Sequence, residues 1–170
     1  MIGQNSILSW AESNKDNFPH FIVLVGDKGS GKRTLAKELS NELNLIYSPC
    51  EIKVDTVREV INTAYHVQTG VMYCFENADT MRNEAKNAML KITEEPPEHA
   101  YFCMTVTDDS YLLDTIKSRA QVLHMEPYSS QQIREYCVRY DRENIAVFEN
   151  ICTTPGEVDL LNSYNVTEFM

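Results

Sequence analysis

The chain has 170 residues and a net charge of −10, and both values limit what it can be. The length suits one core of ordinary size with a small appendage. Proteins that bind DNA strongly by themselves are usually basic, because phosphate contacts supply most of the affinity, so we expect DNA contact only within an assembly. No apolar run reaches the roughly 18 residues of a membrane span, and no basic segment followed by an apolar one marks a secretory signal. We therefore expect a cytoplasmic protein with no membrane partner.

The five cysteines stand singly, and no two of them form a C-x-x-C pair. Disulfide frameworks need an even number of cysteines, and zinc sites need closely spaced ones. Cys74 and Cys103 lie inside apolar runs, where a free cysteine behaves as a small hydrophobic side chain. The pattern favours buried thiols and predicts neither zinc nor another metal site.

Extended and helical patterns alternate along the first three quarters of the chain. Runs of consecutive apolar residues, typical of strands buried on both faces of a parallel sheet, occupy Phe21–Val25 and Val71–Phe75, and a third strand is predicted at Ala100–Val106. Shorter strands are predicted at Leu45–Tyr47 and Ala120–Met125. Apolar residues at helical spacing predict helices over Gln4–Ser13, Thr34–Leu43, Thr56–Tyr65, Met81–Thr93 and Tyr111–Ile116. Asp55 is expected to cap the third of these helices.

From residue 127 onward only helical patterns follow, near 129–140, 144–151 and 156–162. Strands that alternate with helices imply an α/β fold in which helices cover both faces of a parallel sheet. The chain is therefore expected to divide into a sheet-containing core, residues 1–126, and a smaller helical unit, residues 127–170.

A glycine-rich segment separates the first buried strand from the next helix, which is the context that a phosphate-binding loop requires. This phosphate loop comprises Gly26, Asp27, Lys28, Gly29, Ser30, Gly31, Lys32, Arg33 and Thr34. Glycines let the backbone wrap around a phosphate with its N–H groups pointing inward, and the helix N-terminus adds a favourable field. Lys32 would reach the β- and γ-phosphates of a nucleotide. The alternative is a glycine-rich turn that binds nothing.

Arg33 departs from the usual pattern, in which a serine or threonine follows the lysine and binds Mg²⁺ through its hydroxyl. A guanidinium can contact phosphate, but it has no acceptor and cannot hold a metal. Thr34 stands one residue further on, about 100° around a helix, and is a poor substitute. We therefore predict a nucleotide site and leave its Mg²⁺ requirement open.

Three segments carry a resemblance to a known family: VMYCFENADTM at residues 71–81, NAMLKITEEPPE at 87–98 and TIKSRAQ at 115–121. They resemble the clamp-loader subunits of bacterial DNA polymerase III, of the gamma and delta-prime type. The resemblance implies an AAA+ core and a reduced helical lid, ATP or ADP as cofactor, and other clamp-loader subunits or replication proteins as partners. The zinc insert and the collar domain of that family have no counterpart here. The chain is thus expected to be a minimal member, of the kind that a phage could encode, or a fragment.

The resemblance also assigns roles to single residues, and several depart from the family pattern. The acidic pair after the second buried strand is Asp-Glu in the family, one residue for Mg²⁺ and one for the attacking water, but here it is Glu76 and Asn77. An amide cannot accept a proton, so general-base help worth roughly 10²–10⁴-fold is lost. Thr107 matches the sensor position, and Glu157 stands where the lid carries an arginine. These differences predict weak or absent ATP hydrolysis.

Arg119 matches the arginine that acts in trans, in this family, on the ATP of a neighbouring subunit. Such a finger stabilises charge on the transferred phosphoryl group; the alternative is an ordinary surface arginine. Arg82 and Lys86, with Asn83 beside them, fall on one side of a predicted helix whose family counterpart lines a DNA channel, but the net charge of −10 and the nearby Glu84 favour an ordinary solvated face. Three functions stay open: a replication subunit that works through partners, an active ATPase, and a nucleotide-independent scaffold.

Overall fold

The computed structural model describes residues 1–164, and its five strands form one sheet in which every pairing is parallel. The strand order is β2-β3-β4-β1-β5. The strands are β1 (Phe21–Val25), β2 (Ile46–Cys50), β3 (Val71–Phe75), β4 (Ala100–Val106) and β5 (Gln121–His124). A helix lies between each strand and the next along the chain, as parallel pairing requires. The predicted α/β class is therefore confirmed.

Eight α-helices lie within residues 1–164. They are α1 (Asn5–Ser13), α2 (Lys32–Glu42), α3 (Val54–Ala64), α4 (Asn83–Glu94), α5 (Asp114–Lys117), α6 (Ser130–Arg139), α7 (Ile145–Ile151) and α8 (Pro155–Ser163). None of these helices is long and apolar enough to cross a membrane.

Helices cover both faces of the sheet because successive side chains of a strand point to opposite sides. In β1, Phe21, Val23 and Val25 belong to one buried cluster, and Ile22 and Leu24 belong to another. The first cluster includes residues of α3, α4 and α5, and the second includes residues of α1 and α2. Burial on both faces explains why β1 reads as a continuous apolar run rather than an alternating one.

The three C-terminal helices share a small core of their own, which consists of Ile133, Cys137, Phe148, Cys152 and Val158. α6 and α8 each begin with a capping box, in which the first side chain and a side chain three residues later satisfy each other's backbone N–H groups. The last six residues of the predicted helical unit, 165–170, lie outside the described residues. A domain division after residue 126 stays a prediction.

Most helix boundaries and those of β2 and β5 differ from the prediction by one to three residues, and three of the differences have a clear physical reason. β2 continues past Tyr47, and it tolerates Pro49 because it is an edge strand of the sheet. Asp55 does not cap α3: the cap is Lys53, and Asp55 lies in the first turn, where a negative charge is favourable. The fifth predicted helix begins later, at Asp114, after a short 3-10 turn. These differences leave the positions of the predicted site residues unchanged.

Candidate nucleotide site

The carboxyl ends of β1, β3 and β4 lie side by side, and the segments that follow them border a cavity of about 420 Å³, called here the loop cavity. This end of a parallel sheet is the usual ligand site of α/β folds. The loop cavity is lined by Lys28, Gly29, Gly31, Lys32, Arg33, Glu76, Asn77, Asp79, Thr105 and Thr107. The structure thus brings the loop, the altered acidic pair and the predicted sensor residue together.

The remaining residues of the phosphate loop face two neighbouring cavities. Gly26, Asp27 and Ser30 border one of about 450 Å³. Thr34 borders another, of about 390 Å³, whose far wall includes Tyr136 of α6. Residues of the phosphate loop therefore border three cavities. Glu76 and Asn77, which directly follow β3, line the loop cavity.

Gly29 and Gly31 give the loop its shape. Their φ angles are 82° and 89°, a left-handed conformation that residues with a Cβ rarely adopt. Gly31 directly precedes α2, so the free N–H groups of that helix end lie at the loop. The N–H of Ser30 closes the turn by donating to the carbonyl of Asp27 at 3.1 Å. A loop of this form at a helix N-terminus fits the phosphate end of a nucleotide.

Lys32, the first residue of α2, is only 8% exposed. Its ammonium donates to the carbonyls of Gly26 at 2.6 Å and Asp27 at 2.8 Å. Burial lowers the pKa of Lys32, and the charges of Asp79 and Asp27 oppose that shift. Among residues 1–164, no carboxylate lies within ion-pair distance of this ammonium. A buried cation that has only carbonyl partners gains from an anion placed beside it.

Arg33 and Glu76 form an ion pair at the loop cavity, with 3.1 Å between Nε and Oε1. The hydroxyl of Tyr47 in β2 donates to the same Oε1 at 2.8 Å. Burial raises the pKa of Tyr47 well above its usual value, and the neighbouring Cys74 and Glu76 add to that shift. Sequence reasoning missed Tyr47, since it reaches the site only because β2 pairs with β3.

Asp79 holds the predicted sensor residue in place. The backbone N–H and the hydroxyl of Thr107 both donate to Oδ1 of Asp79, at 2.7 and 2.8 Å. Asn77 has a φ of 54°, a left-handed conformation that asparagine tolerates better than most residues. Its N–H donates to Oγ1 of the buried Thr105 at 2.9 Å. The family motif contained Asp79, but nothing in the sequence indicated that it would orient Thr107.

The C-terminal helices contact the phosphate loop through the start of α8. The N–H of Gly156 donates to the carbonyl of Gly29 at 3.0 Å, and the hydroxyl of Thr154 donates to the carbonyl of Lys28 at 3.3 Å. In both hydrogen bonds the acceptor is a backbone carbonyl of the phosphate loop. The C-terminal helices α6–α8, called here the lid, therefore contact the segment that would hold phosphate.

Glu157 stands where the family's lid carries an arginine, and its carboxylate is occupied in the capping box of α8. Its Oε2 accepts the N–H of Thr153 at 2.6 Å and the N–H of Thr154 at 3.2 Å. The bond from the Thr153 backbone is the main reason that the pKa of Glu157 lies below its usual value. Glu157 thus has a structural role that the T-x-x-E spacing could have revealed.

Arg119 lies apart from the phosphate loop. It follows α5, its side chain is 39% exposed, and it does not border any of the three cavities around the loop. Its guanidinium pairs with Oε1 of Glu94 at 3.2 Å and donates to the carbonyl of Thr115 at 3.1 Å. A side chain that acts on the ATP of a neighbouring subunit must lie away from the phosphate loop of its own chain, as Arg119 does.

The predicted basic side of the helix after β3 is not formed. Lys86 is buried within α4, and its ammonium donates to the backbone carbonyl of Tyr111. Lys86 therefore ties α4 to the segment after β4, while Arg82 and Asn83 remain exposed. The prediction that these three residues share one accessible side is wrong.

The family model described as "DNA polymerase III, delta subunit" matches residues 43–129, just over half of the chain. The chain belongs to this family. The matched segment contains Glu76, Asn77, Thr107 and Arg119 and begins after the phosphate loop. The resemblance to DNA polymerase III clamp-loader subunits is confirmed by this match.

Relatives cover more of the chain. It is 27% identical to "DNA polymerase III subunit tau" of Escherichia coli, over 95% of this chain and 29% of the relative. It is 25% identical to "DNA polymerase III subunit gamma" of Buchnera aphidicola, over 80% of this chain and 47% of the relative. It is 24% identical to "DNA polymerase III subunit tau" of Bacillus subtilis, over 78% of this chain and 30% of the relative. The chain thus spans less than half the length of each of these relatives.

Solved structures of RuvB from Thermotoga maritima share the fold. The T158V variant superposes with a TM-score of 0.75 at 19% identity, covering 98% of this chain and 64% of RuvB. A structure described as the RuvB Holliday junction branch migration motor gives a TM-score of 0.73 at 18% identity, with the same coverage. Identity this low shows the fold alone. The superposition confirms the predicted AAA+ arrangement of a parallel sheet followed by a helical lid.

Proposed function

We propose that the chain is a clamp-loader-type subunit of DNA replication that binds ATP or ADP through its phosphate loop, hydrolyses it poorly by itself, and acts through partner subunits. The observation that carries the proposal is the buried ammonium of Lys32, which has two loop carbonyls and no carboxylate as partners within the described residues. Such a group, at the N-terminus of a helix and beside a cavity of about 420 Å³, suits a phosphate.

Two features of the loop cavity support weak hydrolysis. Asn77 stands where an acid would activate water, and its amide cannot accept a proton. Arg33 stands where a hydroxyl would hold Mg²⁺. The remaining acids are engaged, because Glu76 pairs with Arg33 and Asp79 binds Thr107. When a nucleotide is bound, the loop and Lys32 would hold its phosphates, and Thr107 would lie beside them as the sensor residue.

A role in trans is supported by the position of Arg119. Its only carboxylate contact in the described part of the chain is a partly exposed pair with Glu94, and such pairs contribute about 0–1 kcal/mol. An anion on a neighbouring subunit could therefore replace Glu94 as the partner of the Arg119 guanidinium. The partners would be other clamp-loader subunits or replication proteins in the cytoplasm, and DNA would be contacted only within that assembly.

The second candidate function, a nucleotide-independent scaffold, is favoured by one observation. The start of α8 is already bonded to Gly29 and Lys28 of the loop through the N–H of Gly156 and the hydroxyl of Thr154, so the protein's own hydrogen bonds hold the lid against the loop. A scaffold of this kind would keep the fold and its docking surfaces without using the loop.

Titration calorimetry with ATP and ADP separates the two candidates. We expect wild type to bind and Lys32→Ala to bind at least about tenfold more weakly, because a charge-assisted bond to phosphate is lost. Lys15→Ala, which removes an exposed lysine far from the loop in sequence, serves as the matched control and should bind as wild type does. Equal affinities for wild type and Lys32→Ala would favour the scaffold.

A further inference from the structure

The positions that hold Mg²⁺ in phosphate-loop proteins are occupied here by a salt bridge. In those proteins the metal is held by the hydroxyl after the loop lysine and by an acid at the end of a neighbouring strand. In this chain those two positions are Arg33 and Glu76, and their side chains contact each other at 3.1 Å. The positive charge beside Glu76 is therefore supplied by a side chain of the protein, that of Arg33, and not by a metal ion.

The donor set around Glu76 fits Mg²⁺ poorly. Mg²⁺ takes six oxygen ligands in a nearly ideal octahedron, whereas a guanidinium offers only N–H donors. Oε1 of Glu76 already accepts the hydroxyl of Tyr47 and lies 3.1 Å from Nε of Arg33.

The same residues fit an anion well. The lining of the loop cavity contributes three cations, Lys28, Lys32 and Arg33, and two carboxylates, Glu76 and Asp79. Arg33 neutralises the first carboxylate through an ion pair in which Nε lies 3.1 Å from Oε1. Its two terminal nitrogens have no hydrogen-bond partner within residues 1–164, and its side chain is 59% exposed. A planar guanidinium with two free nitrogens matches the geometry of a phosphate.

We propose that the Arg33 guanidinium, held by Glu76, which in turn accepts the hydroxyl of Tyr47, replaces Mg²⁺ in this site, so that the chain binds the metal-free diphosphate or triphosphate end of a nucleotide. The proposal rests on the nucleotide binding proposed above. Tyr47 and Glu76 act as positioning residues, since they fix the arginine rather than contact phosphate. Mg²⁺ in solution then has no ligand role, and it competes with the protein for the nucleotide phosphates.

Calorimetry with ADP and ATP in excess EDTA and in excess Mg²⁺ tests the proposal. Wild type should bind equally in both buffers or more weakly with Mg²⁺. Arg33→Ser removes the guanidinium and restores the hydroxyl, so it should bind at least about tenfold more weakly in EDTA and regain affinity when Mg²⁺ is added. Arg33→Lys should fall between the two because an ammonium lacks the planar fork. Arg58→Ser, at an exposed arginine of α3, is the matched control and should behave as wild type.

Two outcomes would overturn the inference while leaving nucleotide binding intact. One is wild-type affinity that rises about tenfold with Mg²⁺, and the other is Arg33→Ser that binds as tightly as wild type in EDTA. Loss of wild-type binding in both buffers would instead refute the proposed function. A readout without nucleotide is Mn²⁺ binding followed by electron paramagnetic resonance, in which wild type and Arg58→Ser should bind less Mn²⁺ than Arg33→Ser does. Melting curves of every variant confirm that each is folded.

Discussion

The N–H of Gly156 in α8 donates a 3.0 Å hydrogen bond to the carbonyl of Gly29 in the phosphate loop. The two backbones lie so close that a Cβ on Gly156 would sit 2.5 Å from the Cα of Gly29. A side chain at position 156 would therefore collide with backbone, which cannot move aside as the end of a side chain can. The approach of the lid to the loop thus depends on glycine at this position.

We expect Gly156→Ala to separate α8 from the phosphate loop. The added methyl group should destabilise the closed lid by about 1–3 kcal/mol, as overpacked contacts do, while the sheet remains folded. Hydrogen exchange measures this directly: amides at the start of α8 should exchange faster, and amides of β1 and β4 should not change. Gly70→Ala is the matched control, because its Cβ would meet only the end of the Leu45 side chain. Unchanged exchange in α8 of Gly156→Ala would contradict the expectation.

The capping box of α8 gives a second prediction. Glu157→Ala removes the carboxylate that accepts the N–H groups of Thr153 and Thr154, and we expect a loss of about 1 kcal/mol in the free energy of unfolding. Glu157→Gln keeps an acceptor oxygen and should lose less. Urea denaturation at neutral pH compares the three proteins. Equal stabilities of wild type and Glu157→Ala would show that the box contributes nothing.

The same carboxylate makes the difference between wild type and Glu157→Gln depend on pH. The bond from Thr153 lowers the pKa of Glu157 in the folded state, so its contribution is fully present above the unfolded value of about 4.3. It is lost as the pH falls below that value toward the folded pKa. Urea denaturation in acid should therefore show a smaller difference between the two proteins than at pH 7. A constant difference across this range would mean that charge plays no part in the cap.

Sequence patterns predicted the strands buried on both faces because β1 and β3 are continuous apolar runs and β4 is interrupted only by Thr105. β1, β3 and β4 were predicted with the observed bounds. The edge strand β2 was predicted too short, since Pro49 is a poor strand residue that only an edge position allows. Lys86 illustrates a different limit: helical spacing shows which side a lysine lies on, but not that a carbonyl from another element will accept its ammonium in the interior.

Residues that are adjacent along the motif were predicted to share the site, and Lys28, Gly29, Gly31, Lys32 and Arg33 do line the loop cavity together with Glu76 and Asn77. Residues that reach the site through tertiary structure were missed. Tyr47 arrives through the pairing of β2 with β3, and Gly156 arrives through the packing of the lid. Neither carries a local pattern, because their partners are 29 and 127 positions away in the chain (Glu76 for Tyr47, Gly29 for Gly156).

The chain by itself should hydrolyse ATP slowly. Steady-state phosphate release at saturating ATP is expected to stay well below about 1 s⁻¹, the low end of ordinary enzymes, since Asn77 cannot act as a base. Asn77→Glu should not restore turnover, because Arg33 still stands at the metal position and a glutamate in the left-handed conformation costs about 1 kcal/mol. Asn77→Asp, which tolerates that conformation better, controls for backbone strain. A wild-type rate near 1 s⁻¹ would refute this prediction.

Arg119 should matter to a partner and not to its own chain. Arg119→Ala is expected to leave folding and nucleotide binding of this chain unchanged, because the residue lies away from the phosphate loop and its pair with Glu94 is partly exposed. In an assembly with a partner that has an intact ATP site, the same variant should lower the ATPase rate strongly, since a finger supplied in trans is worth about 10³–10⁵-fold. Arg119→Lys should rescue the rate only in part, because an ammonium does not match phosphate geometry as the guanidinium fork does.

Glu94→Gln separates a trans role from a structural one. It breaks the same ion pair but keeps the arginine, so the ATPase rate of the assembly should stay at the wild-type level. If the pair itself were needed for docking, Glu94→Gln and Arg119→Ala would weaken the assembly to the same extent, which analytical ultracentrifugation of the complex would detect. A stable complex that hydrolyses ATP equally well with arginine or alanine at position 119 would exclude the finger, and Arg119 would then be a surface residue of a docking module.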